Sequence, residues 1–203
     1  FNQAWTLSAV KELDETSGEF YSRIYSAYNC ALVLLCSLLI AGDKLIARVL
    51  YANDFYQAWR YAPLLTISVV FSCLCGVFEG IFAAAKETKI LATSTVAGAA
   101  VNILMNLALV GVTGPIGAAF STMVSYGLVW FVRLKKASGI VSLSINLGRD
   151  IASYALLFGQ SLILFLSLGN LVVLAIQMLF FLCLLLIYRH DLYNVASLLL
   201  RKI

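Results

Sequence analysis

Charge is what this sequence has least of. Asp, Glu, Lys and Arg supply 12% of its 203 residues, against about 25% in an ordinary soluble domain. Hydrophobic residues make up 62%, and the mean hydropathy is +0.95. That balance excludes a water-soluble cytoplasmic enzyme. The chain has one histidine, His190, set between Arg189 and Asp191. No nucleophile–base arrangement can be assembled around it, and a solvated end-cap role suits it, so an enzyme is not expected. No Gly-rich phosphate loop followed by Lys occurs, which removes the sequence basis for ATP hydrolysis. Two prolines and thirteen glycines are too few for a disordered or low-complexity chain. The five cysteines, Cys30, Cys36, Cys73, Cys75 and Cys183, all lie in apolar runs and read as small hydrophobes. Cys73 and Cys75 lack the His or carboxylate neighbours of a closed metal site, so neither metal nor cofactor is expected. Basic residues sit at the edges of apolar runs rather than in a cluster, which leaves nucleic-acid binding without support.

What the chain has instead is long apolar runs. Residues 91–132 contain no charged side chain, and the strongest interruption is GVTGPIG at 111–117. Since a membrane-spanning helix needs roughly 20 apolar residues, this stretch reads as two spans joined by a tight Gly/Pro turn. The same design recurs along the chain. Residues 1–23 read as an aqueous loop after the end of an interrupted helix, and the sequence reads as a C-terminal fragment. Four spans follow at about 25–46, 62–85, 91–110 and 115–132, with an aromatic interfacial segment at 47–61 (Tyr51, Phe55, Tyr56, Trp59, Tyr61). Pro63 opens the second span, where its missing N–H costs little. A polar linker covers 137–150. Residues 151–188 are too long for one crossing at 1.5 Å per residue, and Gly169-Asn170 divides them into two more spans. Residues 189–203 form a tail. The expected fold is an all-α polytopic membrane protein with six transmembrane helices.

Six crossings set alternating sides. On that reading eleven of the fourteen Lys and Arg fall on the side of Phe1, and only Lys44, Arg48 and Arg60 fall on the other. The positive-inside rule then makes the Phe1 side cytoplasmic, with both ends of the chain there.

Polar residues inside the spans are the candidates for function. Glu79 is the one acidic residue well inside an apolar run, and an intramembrane charge is costly unless it is used or paired. Asn102 and Asn106 stand one helical turn apart, with Thr95 and Gly98 extending the same face. Gln160 and Gln177 fall one in each of the last two spans. Glu79, Asn102, Asn106, Gln160 and Gln177 are the candidate cavity-lining residues, with hydrogen bonding between helices as the alternative role for the amides. Ser68, Ser72, Gly76 and Gly80 on one helix, and Gly114, Gly117, Ser121 and Ser125 on another, step by three or four residues and read as close-packing seams. A cavity walled by neutral amides and hydroxyls suits a sugar-bearing or otherwise uncharged polar head better than a metal ion.

The pair Asn102 and Asn106, followed by VGVTGPIGAAFSTMVSY with Gly114, Gly117, Ala118, Ala119, Thr122, Ser125 and Tyr126, resembles the polysaccharide and O-antigen flippases of the multidrug/oligosaccharidyl-lipid/polysaccharide exporter superfamily. NQAW at 2–5, EFYSR at 19–23, YAPLL at 61–65 and AAAKETK at 83–89 look similar too. The resemblance implies about fourteen helices in two bundles of six plus two, of which this chain would hold the end of the eighth and all of the ninth to fourteenth. It implies alternating access between the bundles and a lipid-linked oligosaccharide, an O-antigen or capsule repeat unit, moved across a bacterial inner membrane. The implied partners are membrane lipids, that glycan lipid and the preceding helices. A multidrug exporter of the same fold and a non-transporting membrane scaffold are the competing expectations.

Overall fold

The computed structural model describes Trp5, Ala9 and residues 17–50, 53–166 and 169–193. Every regular element among them is helical: α1 (Ser17–Leu50), a 3-10 helix (Asn53–Arg60), α2 (Ala62–Ala84), α3 (Lys89–Thr113), α4 (Pro115–Ala137), α5 (Leu147–Ile163) and α6 (Asn170–Ile187). Four of these, α1 to α4, are long and apolar enough to cross a membrane. The last two are shorter, 17 and 18 residues. The chain is therefore an α-helical protein built for a bilayer, where helices satisfy their own backbone groups and need no water.

The helix limits follow from local chemistry. Gly114 takes a positive φ of +64°, the conformation open to glycine, and its N–H caps α3 on the Val110 carbonyl. Pro115 then starts α4 at the first position, where no N–H is required. Asn146 caps α5 by accepting from the Arg149 amide at 3.1 Å. Consequently the helix begins at Leu147, inside the stretch expected as linker. At the other end of the chain α1 starts at Ser17, inside the stretch expected as loop. The tail beyond Tyr193, Tyr51, and most of residues 1–16 lie outside the described residues.

The helices sort into two compact units. The first comprises Phe1–Tyr25 and Ser68–Ile145; the second comprises Ser26–Ile67 and Asn146–Ile203.

In the first unit α3 and α4 form an antiparallel hairpin that packs tightly. A Cβ on Gly98 would lie 2.3 Å from Val129 Cγ2, and one on Gly117 would lie 2.3 Å from Thr113 Oγ1. Small residues thus let the two backbones approach, as in other membrane helix pairs. The core of the unit is aromatic. Tyr25 stacks on Phe78 with centroids 5.7 Å apart, Phe71 meets Trp130, and the Trp130 Nε1–H donates to the Tyr25 hydroxyl at 3.2 Å. Gly80 seats the Trp5 indole, whose Nε1–H donates to the Val77 carbonyl at 2.9 Å. Its role is to admit that ring rather than a neighbouring span. The outer face of α3 (Val96, Ile103, Leu104, Leu107, Val112) is left exposed, a surface suited to hydrocarbon.

The second unit is tied by buried amides. Ser37 Oγ donates to Gln160 Oε1 at 2.9 Å, Gln160 Nε2 donates to the Ser37 carbonyl at 3.1 Å, and Gln177 Nε2 donates to the Gln160 carbonyl at 3.0 Å. A turn or two away along α1, Asn29 accepts from the Tyr154 hydroxyl and donates to that of Tyr188. Arg149 gathers Asp150, Asp191 and Ser26. The amphipathic segment anticipated at 47–61 is largely the 3-10 helix, where Lys44 Nζ sits 4.7 Å from the centre of the Trp59 ring.

Candidate functional site

Three helices of the first unit each turn one polar stripe inward. On α2 the stripe is Ser72, Cys75 and Glu79; on α3 it is Thr95, Gly98 and Asn102; on α4 it is Thr122, Ser125, Val129 and Arg133. Every step within these stripes is three or four residues, the spacing that keeps side chains on one helical face. Ala99 and Tyr126 complete the walls of a half-open groove of about 490 Å³.

Arg133 anchors one end of this groove. It is only 5% exposed. Its Nε donates to Ser94 Oγ at 3.0 Å, its Nη1 to Glu79 Oε1 at 2.8 Å and to the Cys75 carbonyl at 3.4 Å, and its Nη2 to Thr95 Oγ1 at 3.0 Å. A buried guanidinium without such partners would cost several kcal/mol, roughly, in desolvation. From α4 the planar fork of Arg reaches two other helices at once, which the point charge of Lys could not do. Glu79 meets it from a wetter position, with its side chain 46% exposed.

On six crossings Arg133 directly follows the fourth span at 115–132 and is one of the eleven Lys and Arg expected on the Phe1 side. Arg133 instead lies inside α4 and is buried. The signal was present in two places. Arg133 continues the spacing of Thr122, Ser125 and Val129, and Glu79 called for a cationic partner within the membrane helices.

Of the residues singled out in the sequence, the groove brings together Glu79 and Asn102. Asn106 does not line it. Instead its Nδ2 donates to the Asn102 carbonyl at 2.8 Å and to Asn102 Oδ1 at 3.0 Å, bracing that residue from the next turn. Asn102 in turn donates to Thr122 Oγ1 at a long 3.4 Å. Gln160 and Gln177 are elsewhere, inside the second unit, 0% and 1% exposed and bonded as described above. Those two amides hold helices together and line no part of this groove. Among the presumed packing residues, Ser72 and Ser125 line the groove, while Gly76, Ser68 and Ser121 are buried. Nothing lies within 4 Å of a Cβ placed on Gly114, so that residue serves the turn and not a seam.

No three His, Cys, Asp or Glu side chains among the described residues come together to hold a metal ion. The five cysteines are free. No family model matches the chain, and neither the curated proteins nor the solved structures provide a match.

Proposed function

We propose that this chain is part of a transporter that flips a lipid-linked oligosaccharide, such as an O-antigen or capsule repeat unit, across a bacterial inner membrane by alternating access. The observation that carries the reading is a half-open polar groove set among helices otherwise made for hydrocarbon. Such a groove gives hydroxyl-rich cargo a hydrogen-bonded path where lipid offers none. Asn102, Thr122, Ser125 and Tyr126, four residues of the motif that resembles the flippases, all lie on its walls. In this reading α5 and α6 are the fifth and sixth crossings, and both ends of the chain are cytoplasmic. The chain works with the preceding helices that the resemblance implies.

A drug exporter of the same build fits less well. Its cationic cargo would want an uncompensated carboxylate, whereas Glu79 is already paired with Arg133. A scaffold that only assembles would bury its polar seams fully, yet Glu79 and Tyr126 remain open.

The test is Asn102→Leu with Asn106→Leu in cells that depend on this protein. Surface glycan is expected to fall further than the amount of protein in the membrane. Equal losses of both would sink the reading, since they would mean that the amides only support the fold.

A further inference from the structure

The hydrogen-bonding groups of the groove are unevenly divided. Arg133 has five N–H donors, and contacts to Ser94, Glu79, Thr95 and the Cys75 carbonyl occupy all but one. Thr95, Thr122 and Ser125 each donate their hydroxyl proton to a carbonyl of their own helix, which leaves them as acceptors, and Thr95 and Thr122 already accept from Arg133 and Asn102. Glu79 spends Oε1 on Arg133, while its Oε2 makes no hydrogen bond among the described residues. The walls thus offer the Glu79 carboxylate and the Ser125 oxygen as acceptors, beside the Ser72 and Tyr126 hydroxyls, which can both donate and accept. Their full charges, one guanidinium and one carboxylate, cancel.

We infer that Glu79, held in place by Arg133, is the ligand-contacting residue of this groove, and that the groove takes a neutral polyhydroxylated head: the sugar of a lipid-linked glycan and not its phosphate. The inference rests on the transporter reading for its cargo. Its chemistry stands on the half-exposed Glu79 carboxylate and on the cancelling charges of the pair. A carboxylate oxygen with open lone pairs accepts charge-assisted bonds from sugar hydroxyls, the stronger class of hydrogen bond. A phosphate entering the groove meets the Glu79 carboxylate, and the one cation of the lining is already paired with it. An organic cation meets a carboxylate whose charge is compensated 2.8 Å away. Arg133 is a positioning residue: it fixes the Glu79 carboxylate and offers the ligand almost nothing itself.

The chain is placed in lipid nanodiscs and titrated with diacetylchitobiose, with its 1-phosphate and with tetraethylammonium, binding being read by saturation-transfer NMR. The neutral disaccharide and its phosphate are expected to bind within about threefold of each other, and the ammonium about tenfold more weakly. Glu79→Gln is expected to lower disaccharide affinity about tenfold and to shift the phosphate-to-neutral preference toward phosphate, because it frees the guanidinium. A purely structural role for Glu79 would lower both affinities together. Should Glu79→Gln fail to fold, Glu79→Asp takes its place: it keeps the charge, draws the carboxylate back, and is expected to give the same weakening without the shift toward phosphate. The inference is overturned if the disaccharide does not bind, if its phosphate or the ammonium binds at least tenfold tighter, or if the folded variant binds unchanged. The transporter reading fails separately. Disaccharide binding that responds to Glu79, in a protein whose vesicles never translocate a lipid-linked glycan, would leave the groove assignment standing and remove the transport.

Discussion

Breaking the Glu79–Arg133 pair from its two ends should have unequal consequences. Glu79→Gln leaves the guanidinium 5% exposed and facing a neutral amide. Removing one partner of a fully buried pair costs about 3–5 kcal/mol. Glu79 is 46% exposed, so water already screens part of the attraction, and the expected loss falls to about 2 kcal/mol. Arg133→Met removes the charge that needed burial. The Ser94 and Thr95 hydroxyls keep their bonds to the Leu91 carbonyl, and Glu79 returns to water, so the loss is about 1 kcal/mol. The double variant has no stranded charge and should also lose about 1 kcal/mol, which makes the two changes non-additive by about 2 kcal/mol. Thermal unfolding followed with a thiol-reactive fluorophore suits this protein, because Cys30, Cys36 and Cys75 are buried until the helices part. Single losses that simply add, within about 0.5 kcal/mol, would refute the claim that each group is there for the other.

Other outcomes follow from the same packing. Gly98→Ala places a methyl 2.3 Å from Val129 Cγ2, so it should destabilise by about 1–3 kcal/mol, and Val129→Ala in the same chain should recover most of that loss in the unfolding assay. Gln160→Leu strands the Ser37 hydroxyl and carbonyl in the second unit. It should cost about 1–3 kcal/mol of stability and leave glycan export per folded molecule unchanged, as measured by export divided by membrane protein level. Cysteines introduced at residues 114–117 and at 138–145 should label from opposite sides of the membrane. Labelling from one side would remove a crossing between them.

The helices were legible because their signals are local. Gly114 and Pro115 mark a turn that is decided within a few residues. The apolar length of α2 to α4 follows from bilayer thickness alone. Glu79 and Asn102 were legible as candidates because a polar group in a membrane helix must be paired or used. What stayed hidden was which polar group meets which. Gln160 and Gln177 carry the same chemistry as Asn102, and only the packing of α5 and α6 against Ser37 and its neighbours makes them internal ties. Arg133 was misread because a basic residue at the end of an apolar run usually snorkels to the headgroups. It turns inward here because Glu79, Ser94 and Thr95 converge on it from two other helices. Such convergence belongs to the tertiary structure.

The two polar clusters differ in how much of their bonding is closed within the chain. In the second unit each buried amide reaches backbone or side-chain partners on another helix: Gln160 both gives and takes with Ser37, and Gln177 closes on the Gln160 carbonyl. These bonds fix helix positions, and the one amide atom they leave over, Gln177 Oε1, is buried away from any groove surface. In the first unit Arg133 is nearly saturated, but the bonding stops at Glu79, which lines the groove and whose second oxygen makes no hydrogen bond among the described residues. Folding alone does not require that arrangement. An apolar residue at 79 paired with one at 133 would pack without any desolvation cost. A buried arginine that holds a half-exposed carboxylate in the wall of a membrane groove is thus more than packing calls for, and it is consistent with the proposed role of Glu79 as a fixed acceptor.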